Sequence, residues 1–244
     1  MTQELMHKLK IPSTCKIGKR LTKKQFIENF SLKANEKKLL SSDVESISLE
    51  YLLNKNNINI TPFVDEENDY SEIAFIKVEI LNQSKLKPIA TIIQYIPYPL
   101  IVFFIYKNLL CINIAPKRIN KNDSTKLVVE ELYFTKWIDL EQSSPLEQDF
   151  IKSLEVQNHP FTDFLSFYNS YLDKIVAFNA SVYSGSLSVN EETKAILDKI
   201  ALCETKIAEL KNKIKKETNF NEKVTLNIEL KKSKDTMEDL KGQL

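Results

Sequence analysis

Glycine occurs only three times in this chain, as Gly18, Gly185 and Gly242. A loop that cradles a phosphate, or a sharp strand-to-helix turn that exposes a nucleophile, needs at least two glycines close together. The backbone there must turn with positive φ or approach its ligand with no Cβ in the way. The P-loop, the glycine-rich dinucleotide-binding βαβ unit and the nucleophile elbow are therefore closed to this sequence, and no cofactor is expected.

Hydrophobic residues make up 43% of the 244, enough for a packed core rather than disorder. Their period changes along the chain. Residues 11–21 read as an extended basic lead-in. Thr22 and Gln25 form a capping box that opens a short helix through Phe26, Ile27 and Phe30, and a second short helix over about 35–42 takes Asn35 as its cap. Ile47, Leu49, Tyr51 and Leu53 then alternate with Ser48, Glu50 and Leu52, the period of a half-buried strand. Glu72–Leu81 is a second strand, covered over much of both faces.

Ser84 can cap a helix that carries Pro88 in its first turn, where proline is tolerated, and that Pro97-Tyr98-Pro99 ends. Leu100–Tyr106 is apolar on both faces and reads as a central strand. Lys107-Asn108 is a hairpin turn, with Asn tolerating positive φ, into a fourth strand over Leu109–Ala115. Pro116–Ser124 reads as a loop, Lys126–Trp137 as a fifth strand, and 145–156 and 161–180 as helices packed on the sheet.

The tail carries the clearest pattern. Ile196, Ile200, Cys203, Ile207, Leu210 and Ile214 repeat at four- and three-residue steps, and Leu226, Leu230, Ser233, Met237, Leu240 and Leu244 repeat them again after Thr218-Asn219-Phe220-Asn221. Two matched heptad helices on a short turn make an antiparallel hairpin. The expected fold is α+β: a mixed, mostly antiparallel sheet with one right-handed strand–helix–strand crossover and flanking helices over residues 1–181, a linker over 182–190, and the helical hairpin over 191–244. Ile200, Ile207, Leu210, Ile214, Leu226, Leu230, Met237 and Leu240 are candidate partner-docking residues. The hairpin either docks another protein, or a second copy, or folds back on its own domain. Leu202, Val224 and Ile228 fall off the seam and need cover from something.

The formal net charge is +1, but it hides segregated blocks. Residues 1–40 hold ten basic and three acidic side chains, 41–80 two and nine, 81–120 five and none, and 121–160 four and eight. The only arginines sit in two doublets, Lys19-Arg20 and Lys117-Arg118. With Lys23 and Lys24 they are the candidate nucleic-acid or anion-binding residues, since the guanidinium suits bidentate phosphate contacts. The alternative is pairing with the chain's own acids. Asp65, Glu66, Glu67, Asp69 and Glu72 could attract a divalent cation, yet a restriction-type nuclease wants an acid two residues before the lysine of the following strand, and Phe75 stands before Lys77. A solvated charged turn is the simpler account, and no metal site is expected.

Cys15, Cys111 and Cys203 are far apart, with no metal-binding spacing. His7 and His159 have no Ser or Cys arranged beside them for nucleophilic catalysis. The start has no apolar signal segment, and the longest apolar run falls well short of the roughly 20 residues of a membrane span, so a cytoplasmic protein without a membrane partner is expected.

The stretches IPxxxxIGKRLTKKxFxEN, TPFVDEExxYxEIxxIxVE, IPYPLIV, IAPKRIN and KLVVEE, in that order, resemble the bacterial family called domain of unknown function 4391. The resemblance implies no activity and no catalytic residue. It implies an accessory role beside helicases and DNA methyltransferases in restriction-like, anti-phage gene clusters. The resulting expectation is a non-enzymatic subunit that docks such a partner through its hairpin. A nucleic-acid-binding module and a metal-dependent nuclease drawing on Asp65, Glu67, Glu79 and Glu130 are the alternatives.

Overall fold

The computed structural model describes residues 2–184, 187 and 192–244. In chain order the elements are α1 (Thr2–Lys8), β1 (Lys16–Arg20), α2 (Lys23–Asn29), α3 (Ala34–Asp43), β2 (Val44–Asn54), β3 (Phe63–Val64), β4 (Asp69–Tyr70), β5 (Glu72–Ile80), α4 (Leu86–Ile93), β6 (Leu100–Tyr106), β7 (Leu109–Ile114), β8 (Lys117–Asn120), β9 (Asp123–Val129), β10 (Tyr133–Phe134), β11 (Ile138–Asp139), α5 (Pro145–Ser153), α6 (Phe164–Ser184), α7 (Thr193–Lys216) and α8 (Phe220–Lys241). They fall into two compact units, Met1–Ile175 and Val176–Leu244.

The first unit is built on a sheet of order β1-β2-β5-β6-β7-β10, with β11 also paired to β7. The alternation at Ile47–Leu53 does form a strand, antiparallel to β5. β5 and β6 are parallel, joined through α4, and every other pair is antiparallel. This is the α+β fold with one crossover that the sequence implied. The period of two sorts β5 into two faces. Ala74, Ile76, Val78 and Ile80 pack with Phe26, Leu40, Ile89 and Ile93 from α2, α3 and α4. On the opposite face Phe75 stacks on Phe103 (centroids 6.3 Å apart) and meets Tyr51 and Tyr171 edge-on, so α6 covers that side.

Several local expectations change. The basic lead-in is not merely extended: Lys16–Arg20 pairs with β2 as an edge strand, every residue exposed. Thr22 and Gln25 do form the capping box, but α3 is capped at Lys33 rather than Asn35, with the Glu36 carboxylate accepting from the Lys33 N–H. Asn82, not Ser84, caps the turn before α4, because its carboxamide reaches the Ser84 N–H at 3.1 Å. Lys107, not Asn108, takes the positive φ of the β6–β7 hairpin, at 58°. The expected loop over Pro116–Ser124 contains β8, which forms a separate hairpin with β9. The expected fifth strand over Lys126–Trp137 is broken into β9 and β10, and β11 follows it; β10 and β11 both pair with β7.

In the second unit, α6 continues through Ser184, into the segment expected to be linker. Gly185 and most of that segment lie outside the described residues. Ile196 and Ile200, early in α7, pack with Leu240, late in α8, so the helices run antiparallel, as their heptads require. The Asn219 side chain caps α8 by accepting from the N–H groups of Asn221 and Glu222.

Candidate functional site

The turn after α4 follows from its prolines. Gln94 closes the helix, and Pro97 and Pro99 exclude its continuation, leaving Ile96 and Tyr98 carbonyls that face inward. The donor that meets them comes from β8, beyond the β6–β7 hairpin. Lys117, 3% exposed, places its ammonium 2.7 Å from both carbonyls. Burial pushes that ammonium down from 10.5 to about 7; the two carbonyls act the other way, since they favour the charged form.

Around this tether the backbone is tied from several sides. The Tyr168 hydroxyl accepts from the Ala115 N–H at 3.0 Å and lies 2.8 and 3.1 Å from the carbonyls of Ala115 and Leu100. The Lys117 N–H donates to the Tyr70 hydroxyl at 3.4 Å, and the Ile119 N–H to the Glu67 carbonyl at 2.7 Å. Gln94, also 3% exposed, donates to Asn113 at 2.9 Å, while its Oε1 has no hydrogen-bond partner. Lys117→Met leaves the Tyr98 carbonyl without a donor and the Ile96 carbonyl with only the Tyr98 N–H, 2.9 Å away, a loss expected to cost about 1–3 kcal/mol. Urea denaturation reads it, and an unchanged midpoint would refute the tether.

Three cavities surround the turn. One of about 500 Å³ has a mixed polar and apolar wall that includes Asn54, Asp69, Glu72, Tyr98 and Leu127. One of about 310 Å³ is apolar, between Phe26 of α2, Phe30 just past its end, and the sheet residues Leu49 and Ile76. The third, about 610 Å³, runs between Phe30, Tyr95 and Ile96 on one side and β9 on the other, with Gln94 and Lys117 also in its wall. Four of the stretches that carry the family resemblance, those at Thr61–Glu79, Ile96–Val102, Ile114–Asn120 and Lys126–Glu131, thus meet in one corner. The sequence placed them in order but gave no sign that they converge.

The six candidate basic residues do not form one site. Lys19 and Arg20 lie on exposed β1; the Lys23 ammonium donates to the Ser41 carbonyl at 3.0 Å, and Lys24 pairs with Glu28 at 3.6 Å. Arg20 is level with Ser48 and Lys77, toward the end of β5, whereas Lys117 follows Ile114, level with Ile101 near the start of β6. Strand spacing puts the two doublets on the order of 20 Å apart. Arg118 is half-exposed, 3.9 Å from Glu130.

Sequence reasoning missed a polar cluster on the sheet. Ser46 donates to Glu79 at 2.5 Å, Lys77 pairs with the same carboxylate at 3.2 Å, and Ser48 donates to Glu50 at 2.5 Å. The Ser46 hydroxyl, with Lys77 and Arg20 behind it, holds the Glu79 carboxyl below its ordinary range. The signal was available: the period of two puts Lys77 and Glu79 on one face of β5.

The acidic turn serves its own backbone. Asp65 accepts from the N–H groups of Glu67 and Asn68 at 2.8 and 2.7 Å, which lowers its carboxyl, and Asp69 accepts from Ser71. Among the described residues no three His, Cys, Asp or Glu side chains are grouped to hold a metal ion. Cys15 and Cys111 are buried, and burial pushes the Cys111 thiol up to about 12.

In the helical hairpin, Ile200, Ile207, Leu210 and Leu240 are buried and Ile214, Leu226, Leu230 and Met237 half-buried. Leu202, Val224 and Ile228 are 71%, 43% and 52% exposed. No described helix is long and apolar enough to cross a membrane. A family model described as a domain of unknown function, DUF4391, matches residues 9–237. No curated protein and no solved structure matches the chain.

Proposed function

The chain belongs to the DUF4391 family, a domain of unknown function, and from that premise and its geometry we propose a non-enzymatic interaction subunit that docks a larger protein through the α7–α8 hairpin. The observation that carries this reading is the fate of the apolar residues. The heptad positions are largely withdrawn from solvent, while Val224 and Ile228, one turn apart on α8, stay exposed beside Lys231, Lys232 and Asp235. The docking surface is therefore the outer face of α8 rather than the seam residues Ile200 to Leu240. A mixed apolar and charged strip of this kind suits a protein partner better than water alone. The resemblance points to a helicase or DNA methyltransferase of a restriction-like, anti-phage system in the cytoplasm as that partner.

Affinity purification of the full chain from its native host, with and without nuclease treatment, tests this. The expected result is a larger protein retained after nuclease treatment and reduced at least tenfold by Val224→Glu with Ile228→Glu. Retention unaffected by that pair overturns the docking face. Loss on nuclease treatment favours instead a nucleic-acid contact at the exposed corner of Lys19, Arg20, Lys23 and Lys24, and recovery of a second copy alone means self-association.

A further inference from the structure

The groove between the Tyr95–Pro97 turn and β9 has an unusual wall. Lys126, Leu127, Val128 and Val129 all line it. Alternate side chains of a strand point to opposite faces, so a groove that touches four consecutive residues runs along the strand's edge. That edge is open: β9 pairs with β8 alone among the described strands, and β8 is covered on its own far side by the Ile119–Glu67 bond. An open strand edge presents backbone donors and acceptors to any extended chain.

The remaining lining is apolar, neutral polar or cationic, with Asn29, Ser31, Thr91 and Gln94 among its neutral polar side chains. Phe30, Ile96, Pro97 and Leu132 face the strand, Lys117 and Lys126 contribute, and no Asp or Glu lines the groove. Asp123 pairs with Lys126 at 2.7 Å from outside the lining. Lys117 has only the two carbonyls: its third N–H has no partner among the described residues, and no carboxylate stands behind its ammonium. A buried cation without a counter-ion is costly, and an anion entering the groove would relieve that cost. Gln94 Oε1, buried in the same wall, still lacks a donor.

We propose that this groove binds an extended peptide segment of a partner protein, which adds as a strand to the free edge of β9 and sets a carboxylate against Lys117. Strand addition supplies affinity through the main chain, and alternate side chains supply selectivity. Leu127, Val128 and Val129 call for apolar residues on the incoming segment. The carboxylate comes either from the segment's C terminus or from an Asp or Glu side chain within it. This site stands apart from the hairpin reading: its residues lie in the first unit, and its failure leaves the α8 surface untouched.

The test presents the full chain with three immobilised heptapeptide libraries. One has a free C-terminal carboxylate and no acidic residues, one is amidated and contains a single Asp or Glu, and one is amidated and acid-free. Enriched peptides are then measured by fluorescence polarisation, and backbone amide exchange is followed on binding. Enrichment is expected from the first or second library, which tells the two carboxylate sources apart. Binding should weaken at least tenfold on amidation or Glu→Gln replacement, and at least tenfold with Leu127→Glu, whose melting temperature is checked against the parent chain. The amides of residues 126–129 should gain protection. Enrichment only from the acid-free library, no enrichment above the Leu127→Glu protein, or protection that leaves residues 126–129 unchanged each overturns the proposal. Protection of these same amides by oligothymidylate, without peptide binding, would give the groove to nucleic acid instead.

Discussion

Phe75→Ala is expected to lower the stability of the protein by about 3–5 kcal/mol, the range for truncating a buried aromatic. Phe75 is fully buried in β5, one of the central strands, and three rings lean on it: Tyr51 from β2, Phe103 from β6 and Tyr171 from α6. No single neighbour can move into the vacated space without leaving its own strand or helix, so the cavity persists and its cost adds to the lost burial. Against a total stability of roughly 5–15 kcal/mol, the loss should lower the melting temperature by on the order of 10 °C. Leu81→Ala, at a side chain 55% exposed just past the same strand, should change it by less than about 0.5 kcal/mol. Equal shifts in the two variants, measured by thermal denaturation, would show that the sheet does not pack through Phe75.

The second large effect is a loss of stability in mild acid caused by one histidine. His159 is 5% exposed, with its ring stacked on Tyr171 at 3.8 Å between centroids and its Nδ1 3.0 Å from the Ser170 hydroxyl. Burial, aided by the charge of Lys174 and opposed by the Leu154 carbonyl, pushes the imidazole down from 6.5 to about 3. The folded protein therefore keeps His159 neutral while the unfolded chain protonates it below about 6.5. The stabilising contribution is complete above that pH and is lost as pH falls toward 3, at about 1.4 kcal/mol per pH unit. The whole window is worth on the order of 5 kcal/mol. Carboxylates held low in the fold, Glu79 and Glu155 among them, lose their contribution further down, below about pH 4.5. Urea denaturation at pH 7.5 and 4.5 isolates the histidine: the parent should lose roughly 3 kcal/mol more than His159→Phe, which keeps a ring against Tyr171. Parallel curves for the two proteins would sink the assignment.

The parts of the fold that could be read from the sequence are those where one period dominates. The doubly apolar Leu100–Tyr106 and the paired heptads each bury a regular stripe and became the expected elements; Ile47–Leu53 became the expected strand, but a register shift between Leu49 and Tyr51 splits its apolar residues, with Ile47, Leu49 and Leu52 packing on the α4 side and Tyr51 against Phe75 on the other. β1 escaped because it buries nothing: all five residues are exposed, and only backbone pairing with β2 makes it a strand. β8 escaped because its partner, β9, lies across an Asn-containing turn in a stretch too polar to show a period. The corner around Lys117 was only half legible. The Lys117-Arg118 doublet drew attention by its charge, but neighbouring lysine and arginine in a polar stretch look alike in sequence. The fold buries the first and leaves the second half-exposed, a difference set by where the Ile96 and Tyr98 carbonyls arrive from twenty residues upstream.

The margins of the main sheet bear on how the protein behaves when crowded. At one margin, β1 presents Lys16, Lys19 and Arg20, and its register slips between Lys16 and Lys19, where Gly18 takes a φ of +62°. At the other, β10 and β11 are two residues each. A neighbouring molecule offered either margin meets like charge and a kink, or too little strand to grip, the arrangement that keeps sheet proteins from polymerising edge to edge. These two margins should therefore not seed fibrils at high concentration and low salt, and a charge-neutral, straightened β1 is the change that would open one of them to a neighbouring molecule.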